Sequence, residues 1–122
     1  MHLIKLEDVN HSEKTLTQAV LQVTQMLGIF HAELARILHL KCSDVGDLAD
    51  AKTNLTRDSV EWEQAENLMT FYELLFTHCA GDEVCMHNWL RKHNENLNGA
   101  PLYIMVDELS IERVIYTGGL GE

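Results

Sequence analysis

The feature that most constrains the fold is a helical spacing of apolar residues that recurs along most of the chain. It is clearest between residues 58 and 79, where the residues on one helix face are Ala65, Leu68, Tyr72, Leu75 and Cys79. Further apolar residues widen this stripe, so we expect a central helix that is covered on more than one side. The apolar residues lie on too many sides for one small core to hide, which also predicts self-association.

Capping residues and glycines divide the chain into helical segments. Ser12 is a plausible N-cap, Gly28 a stop, Ser43 the cap of a short helix, and Asp58 or Ser59 the start of the long one. Further along, Gly81 ends the long helix, Asp82 caps the next one as far as about His93, and a turn precedes Pro101. By residue type alone, 102–106 and 114–117 could instead be short strands. The pattern predicts an all-α chain: a helix-turn-helix-like bundle at 12–57, then the connecting helix and a small C-terminal bundle at 58–122.

The segment 31–51, HAELARILHLKCSDVGDLADA, has the apolar spacing of a helix-turn-helix. Ala35 occupies the position where the two helices cross closely, Leu40 lies in the turn, and Val45 and Leu48 form the inner face of the second helix. His39 stands where glycine usually makes the turn. An ordinary helical hairpin with accidental spacing is the alternative.

The outward face of the second helix is acidic, although DNA binding would require a basic one. Its DNA-facing positions are Ser43, Asp44, Gly46 and Asp47, and Asp50 follows. With 19 acidic against 9 basic residues, the net charge is −10, and no stretch concentrates Lys and Arg. We therefore expect DNA binding to be weak or absent. Alternatively, Asp44 merely complements the helix N-terminus, and a dimer could bring Arg36, Lys41 and Lys52 together along DNA.

Composition points to a cytoplasmic protein. No apolar run approaches the roughly 20 residues that span a bilayer, and the N-terminal segment lacks the features of a signal peptide. The three cysteines, Cys42, Cys79 and Cys85, are sparse and odd in number, which favours a reducing compartment.

Nothing in the sequence predicts an enzyme, a cofactor or a metal site. Cys79 and Cys85 lie close to His78 and His87, but the short Cys-x-x-Cys turn that holds zinc is missing. We expect core cysteines and partly exposed histidines instead. Cys79 and His78 are adjacent helical residues that point about 100° apart, so they do not form a nucleophile and base. The glycines at 118–121 precede no helix and predict no phosphate loop.

The C-terminal half carries an ordered series of motifs: Trp89 and Leu90, Asn94, Leu97, Gly99, Pro101 and Leu102, then Ile111, Val114 and Ile115. In this order and spacing, the series resembles the toxin-binding domain of the Xre/MbcA/ParS antitoxin family. His93 stands where that family usually has proline. Together with the helix-turn-helix half, the resemblance covers about residues 15–118. The same residues also have a plain physical interpretation, as the core and turns of a compact helical corner.

The resemblance implies a cytosolic, dimeric antitoxin that binds and neutralises a RES-type toxin acting on NAD. Members with a working helix-turn-helix also bind their promoter, so a transcriptional regulator is the alternative function. In this family the C-terminal end approaches the NAD pocket of the toxin. The candidate toxin-binding residues here are therefore Arg113, Tyr116, Leu120 and Glu122. A frayed terminus without a role is the alternative for residues 117–122.

Overall fold

Eight α-helices without a strand make up the part of the chain that the computed structural model describes, residues 3–120. They are α1 (Leu6–Val9), α2 (Glu13–Met26), α3 (His31–Leu38), α4 (Cys42–Ala49), α5 (Val60–His78), α6 (Glu83–Arg91), α7 (Pro101–Asp107) and α8 (Ile111–Thr117). The predicted all-α class is confirmed. Residues 102–106 and 114–117 lie in α7 and α8, so the strand alternative for these segments is wrong.

Most helices begin where the capping residues predict. The hydroxyl oxygens of Ser12 and Ser59 accept hydrogen bonds from backbone N–H groups in the first turns of α2 and α5. The Asp82 carboxylate does the same for α6, and Pro101 is the first residue of α7. The long helix thus starts after Ser59, one of the two predicted positions.

Two predicted helix ends are wrong. The helix α4 starts at Cys42 with Lys41 as its N-cap, two residues earlier than a Ser43 cap would place it. The carboxylate of Asp44 accepts a hydrogen bond from the Lys41 backbone N–H, 3.1 Å away, and this bond fixes the earlier start. The helix α6 ends at Arg91, before His93, because Lys92 already adopts an extended backbone.

The core is organised around α5. Its buried residues point to several sides and are Trp62, Ala65, Leu68, Met69, Phe71, Tyr72 and Leu75. The helices α1, α2, α3 and α8 of the same chain pack against it. The wide apolar stripe predicted for this helix is therefore covered within one chain and does not require a second copy.

Both predicted parts of the chain, 12–57 and 58–122, contribute to one cluster of buried side chains. The helix α3 packs against α5 and α7, and the Arg36 guanidinium Nε donates a hydrogen bond to the Val106 carbonyl oxygen over 2.8 Å. The polar connection before α5 is also anchored, since the Leu55 N–H donates to the buried Thr17 hydroxyl at 2.9 Å. The N-terminal and C-terminal parts are thus held together by direct contacts.

The helices α3 and α4 are joined by a tight turn at residues 39–41. His39 adopts the left-handed conformation, with φ 62° and ψ 39°, at the position where glycine was expected. Ala35 is 3% exposed, and Val45 and Leu48 are buried beneath the pair. Histidine therefore makes the turn without glycine.

The segment before α1 is tied to α5 by two polar side chains. The Ile4 N–H donates to the Tyr72 phenol oxygen at 3.4 Å, and the Leu6 N–H donates to the Glu73 carboxylate at 3.1 Å. Burial raises the pKa of the Tyr72 phenol, the bond from Ile4 opposes this rise, and the Glu73 charge adds to it. The N-terminal segment thus helps to cover the central helix.

Two glycines should respond oppositely to replacement by alanine. Gly46 lies inside α4, and a Cβ there would meet nothing within 4 Å, so we expect Gly46→Ala to stabilise the fold by roughly 0.5–1 kcal/mol. Gly28 has φ +68°, and a Cβ there would lie 3.1 Å from the His87 ring, so Gly28→Ala should destabilise it by more than about 1 kcal/mol. Urea unfolding measures both, and a loss of stability in Gly46→Ala would contradict the placement of that residue.

Candidate protein-binding surface

Asn94 organises the corner between α6 and α8. Its side-chain oxygen accepts hydrogen bonds from the N–H groups of Asn96 and Leu97, at 2.9 and 3.3 Å. Its side-chain nitrogen donates to the Gly118 carbonyl oxygen at 3.0 Å, and its backbone pairs with Gly99 in an isolated antiparallel bridge. One amide thus joins the turn at 94–99 to the C-terminal end of α8.

Trp89 fills the inner side of this corner. Its indole lies 5.8 Å from the Phe71 ring and 6.4 Å from the His78 ring, measured between ring centroids. A Cβ on Gly118 would lie 3.2 Å from the indole and only 2.5 Å from the Val114 carbonyl oxygen. Glycine is therefore required for this close approach, and the end of α8 packs directly on α6.

The other motif residues of the corner are packed in the same way. Leu90, Leu97, Pro101, Ile111 and Val114 are buried. They follow the plain physical interpretation, in which the motif builds a core and its turns. These motif residues are therefore not available on the surface for contact with another molecule.

Arg113 is one of the four residues that the sequence places at the toxin-binding end, and it is half-buried. Its guanidinium donates to the Glu108 carboxylate at 2.6 Å and to the Leu97 carbonyl oxygen at 2.8 Å. Its backbone N–H is bonded to the Ser110 hydroxyl, which caps α8. The side chain holds α8 against the preceding turn and is already engaged within the chain.

The remaining three candidates lie in different surroundings. Tyr116 is 84% exposed on α8, whereas Leu120 is only 6% exposed and belongs to the core. Leu120 as a surface contact is therefore wrong, because its side chain is buried where the chain folds back after α8. Glu122 lies outside the described residues. As far as residue 120, the chain after α8 packs on the core through Leu120.

The four candidate DNA-facing positions lie on the outer side of α4. Ser43 and Asp44 are exposed, and Gly46 and Asp47 are half-buried. The bond from the Lys41 N–H to Asp44 supports the simpler role of Asp44 in capping its helix. Within residues 3–120, the ion pairs are His87–Glu83 and Arg113–Glu108, so no basic side chain neutralises Asp47.

Two exposed aromatic residues were missed by the sequence analysis. Phe30 is 74% exposed at the start of α3, and Tyr103 is 55% exposed on α7. Tyr103 lines a recess of about 270 Å³ together with residues of α3, α6 and α7 that include Glu33, Arg91 and Val106. Tyr103 lies inside the otherwise apolar helix α7, so periodicity alone assigns it to the core, whereas Phe30 is the N-cap of α3 and lies outside its helical pattern.

The cysteine pair was also missed. Cys79 and Cys85 form a disulfide across the turn between α5 and α6, with their Cα atoms 5.7 Å apart. A glycine break between two nearby cysteines was the available sequence indication. Because two of the three cysteines pair, their odd number gives no support for a reducing compartment.

The histidines near this pair do not join it in a metal site. The His87 ring nitrogen Nε2 is hydrogen-bonded to the Met26 carbonyl oxygen at 2.6 Å, while His78 packs against Trp89. Within the described part of the chain, no cluster of three or more histidine, cysteine or acidic residues could hold a metal ion. Nor is any described helix both long and apolar enough to cross a membrane.

Comparison with known proteins adds no family to these observations. The sequence matches no protein-family model, and no curated protein matches it.

The bond from Asn94 to Gly118 predicts a specific loss of stability. We expect Asn94→Asp to lower the free energy of unfolding by about 1–3 kcal/mol, because it keeps the oxygen acceptors but turns the donor into a charge facing a carbonyl. Asn54→Asp, at an exposed position in the connection before α5, is the control for the added negative charge. Equal urea midpoints for the two variants would show that the Asn94 donor is not needed.

Proposed function

We propose that this chain is an antitoxin-like protein that binds and neutralises a RES-type toxin and binds DNA weakly or not at all. The observation that carries the proposal is Tyr116, an aromatic residue that is 84% exposed on a helix fixed at both ends. Its support from the sequence is the resemblance of residues 81–114 to the toxin-binding domain of the Xre/MbcA/ParS antitoxins.

Rigid presentation is what makes Tyr116 suitable as a contact residue. Arg113 and the Ser110 cap hold the start of α8, and the Asn94 side chain holds its end through the Gly118 carbonyl. A tyrosine on a fixed helix loses little conformational entropy when it is buried by a partner. Tyrosine is also among the residues enriched at the centres of protein interfaces.

The charge of the chain favours a basic partner surface. The net charge of −10 steers the approach of a positively charged protein and opposes that of nucleic acid. A toxin that acts on NAD must bind a pyrophosphate, a task for which arginine is well suited. An acidic protein covering such a site is electrostatically matched to it.

A helix-turn-helix transcriptional regulator is the second candidate. The observation that favours it is the α3–α4 turn, in which His39 takes the left-handed conformation, together with the buried Ala35 on α3. Against it stand Asp47 and Asp50 on the outer side of α4 and the hydrogen bond that directs Arg36 to α7. We therefore rank it second.

A homodimer and a cytoplasmic location complete the proposal. Both rest on the resemblance. For the homodimer there is no further support from α5, because helices of the same chain cover it.

Co-expression with a RES-type toxin tests the proposed function. We expect the full-length chain to restore growth and Tyr116→Ser to weaken toxin binding by about tenfold or more, since central interface aromatics often contribute this much. Tyr103→Ser, at the other exposed tyrosine, is the matched control and should bind like the unmodified chain. Truncation after Tyr116 is unsuitable because it also removes the buried Leu120.

The two possible failures of this experiment differ in meaning. If the full-length chain binds no RES-type toxin, the antitoxin proposal is wrong. If the chain binds and Tyr116→Ser binds equally well, the function stands and the interface lies elsewhere.

Weak DNA binding is tested by reversing charge on α4 while keeping the Asp44 cap. In the double variant Asp47→Arg/Asp50→Lys, we expect DNA affinity at physiological salt to rise by at least about tenfold and the salt dependence to steepen by about two phosphate contacts. The control Glu63→Arg/Glu95→Lys makes the same charge change at exposed positions outside α4. Tight DNA binding by the unmodified chain would contradict the expectation, and an equal gain in the control would show a general charge effect.

A further inference from the structure

The disulfide between Cys79 and Cys85 lies at the corner where α5 turns into α6. Cys79 is the C-cap of α5 and is 6% exposed, whereas Cys85 lies in the first turn of α6 and is half-buried. The two sulfur atoms of the bond therefore belong to residues that differ in their access to solvent.

The corner has its own backbone support. Ala80 and Gly81 adopt positive φ angles of 51° and 76°. The Gly81 N–H donates to the Phe76 carbonyl at 2.9 Å, and the Asp82 N–H donates to the Cys79 carbonyl at 3.0 Å. These bonds and the Asp82 cap of α6 do not involve sulfur, so the turn is able to persist when the disulfide opens.

A surface recess reaches the disulfide on the side of Cys85. It has a volume of about 280 Å³ and is lined by Cys85, Asn88, Trp89 and Lys92, without Cys79. An incoming thiol can therefore reach the disulfide from the Cys85 side, while Cys79 is shielded by the core.

Lys92 is the one charged residue among the described residues that line the recess, and the Asp82 carboxylate lies nearby, 3.3 Å from the Cys85 backbone nitrogen. Lys92 is exposed and adds a positive charge in a chain that is strongly acidic overall. Asn88 offers an amide for hydrogen bonding, and the Trp89 indole offers an apolar wall. This combination suits a small thiol that carries carboxylate groups, such as a peptide of the glutathione class.

We propose that the Cys79–Cys85 disulfide is an exchange site at which a small carboxylate-bearing thiol becomes attached to Cys85. This inference does not rest on the proposed function, because the recess and the disulfide lie far from Tyr116 in the sequence. The recess shares one residue with the support of α8, Trp89, against which Gly118 packs. The inference assigns a modification site to the outer side of α6.

The exchange is balanced in both of its steps. The thiolate of the small molecule attacks the Cys85 sulfur, a new S–S bond forms, and the Cys79–Cys85 bond breaks. Cys79 leaves as a thiolate and takes a proton from water, or it attacks the Cys85 sulfur again, expels the small molecule as its thiolate and restores the original disulfide. A second small thiol releases Cys85 as a thiol and leaves as the oxidised small-molecule disulfide, so two electrons and two protons have been transferred to the protein.

The experiment uses the full chain with Cys42→Ser, because Cys42 is an exposed free cysteine that would also react. The oxidised protein is mixed with reduced glutathione and quenched at intervals with N-ethylmaleimide, and its peptides are analysed by mass spectrometry. We expect glutathione on Cys85 and maleimide on Cys79, in at least tenfold excess over the reverse arrangement.

The role of Lys92 is tested with a charged and a neutral thiol. Lys92→Gln should slow the reaction with glutathione by about two- to fivefold, the size of one exposed charge pair, and leave the reaction with 2-mercaptoethanol unchanged. Lys52→Gln, an exposed lysine in a different segment, should change neither rate. In Cys42→Ser/Cys79→Ser, oxidised glutathione should form a stable adduct on Cys85, which keeps the proposal testable if the first mixed disulfide is short-lived.

Three results would overturn the proposal. The first is attachment of glutathione to Cys79 as often as to Cys85. The second is an equal effect of Lys92→Gln on both thiols, or on neither. The third is alkylation of both Cys79 and Cys85 in protein purified under air, which would show that the pair does not form a disulfide.

Discussion

Burial of α5 on several sides is the constraint on which the other helices depend. The helices α3 and α4 have eight residues each and α7 and α8 have seven. Isolated helices of this length are not stable in water, because nucleation costs more than so few hydrogen bonds return. They persist here because their apolar faces are covered, directly by α5 or through a helix that packs on it. The loss of a contact with α5 therefore also changes the positions of the exposed residues on the short helices.

Polar side chains then set the positions that apolar burial leaves open. Apolar contacts are not directional, so a seven-residue helix such as α8 could rotate or slide on α5 if packing alone held it. Asn94 and Arg113 prevent this by bonding to carbonyl oxygens at 118 and 97. These two bonds therefore also fix the orientation of Tyr116, which lies on α8. The orientation of an exposed side chain can thus depend on other side chains that are not themselves exposed at the same place.

The sequence predicted the all-α class and most helix starts, because periodicity, caps and glycines act locally. It misplaced the start of α4. The Asp44 carboxylate accepts a hydrogen bond from the Lys41 backbone N–H, and this interaction makes Lys41, and not Ser43, the N-cap. The sequence also named Leu120 as a candidate toxin-binding residue, although Leu120 is buried, because no local pattern shows where the chain after α8 packs. The disulfide and the exposed Tyr103 escaped for the same reason: both follow from how α5, α6 and α7 meet. The apolar stripe of α5 predicted that other helices cover it on more than one side. The stripe alone could not show whether those helices belong to the same chain or to a second copy.

Shape and charge carry separate information at α4. The close approach of α3 and α4 is determined by buried residues, Ala35, Val45 and Leu48, together with the left-handed His39. Outward residues such as Asp47 contribute little to that packing, and surface substitutions of this kind usually change stability by less than about 0.5 kcal/mol. The buried residues therefore determine how α3 and α4 pack, whereas the charge of the outer face of α4 can vary without loss of that packing. For this reason the packing of α3 and α4 gives information about the fold alone, and the charge of the outer face is what any binding partner meets.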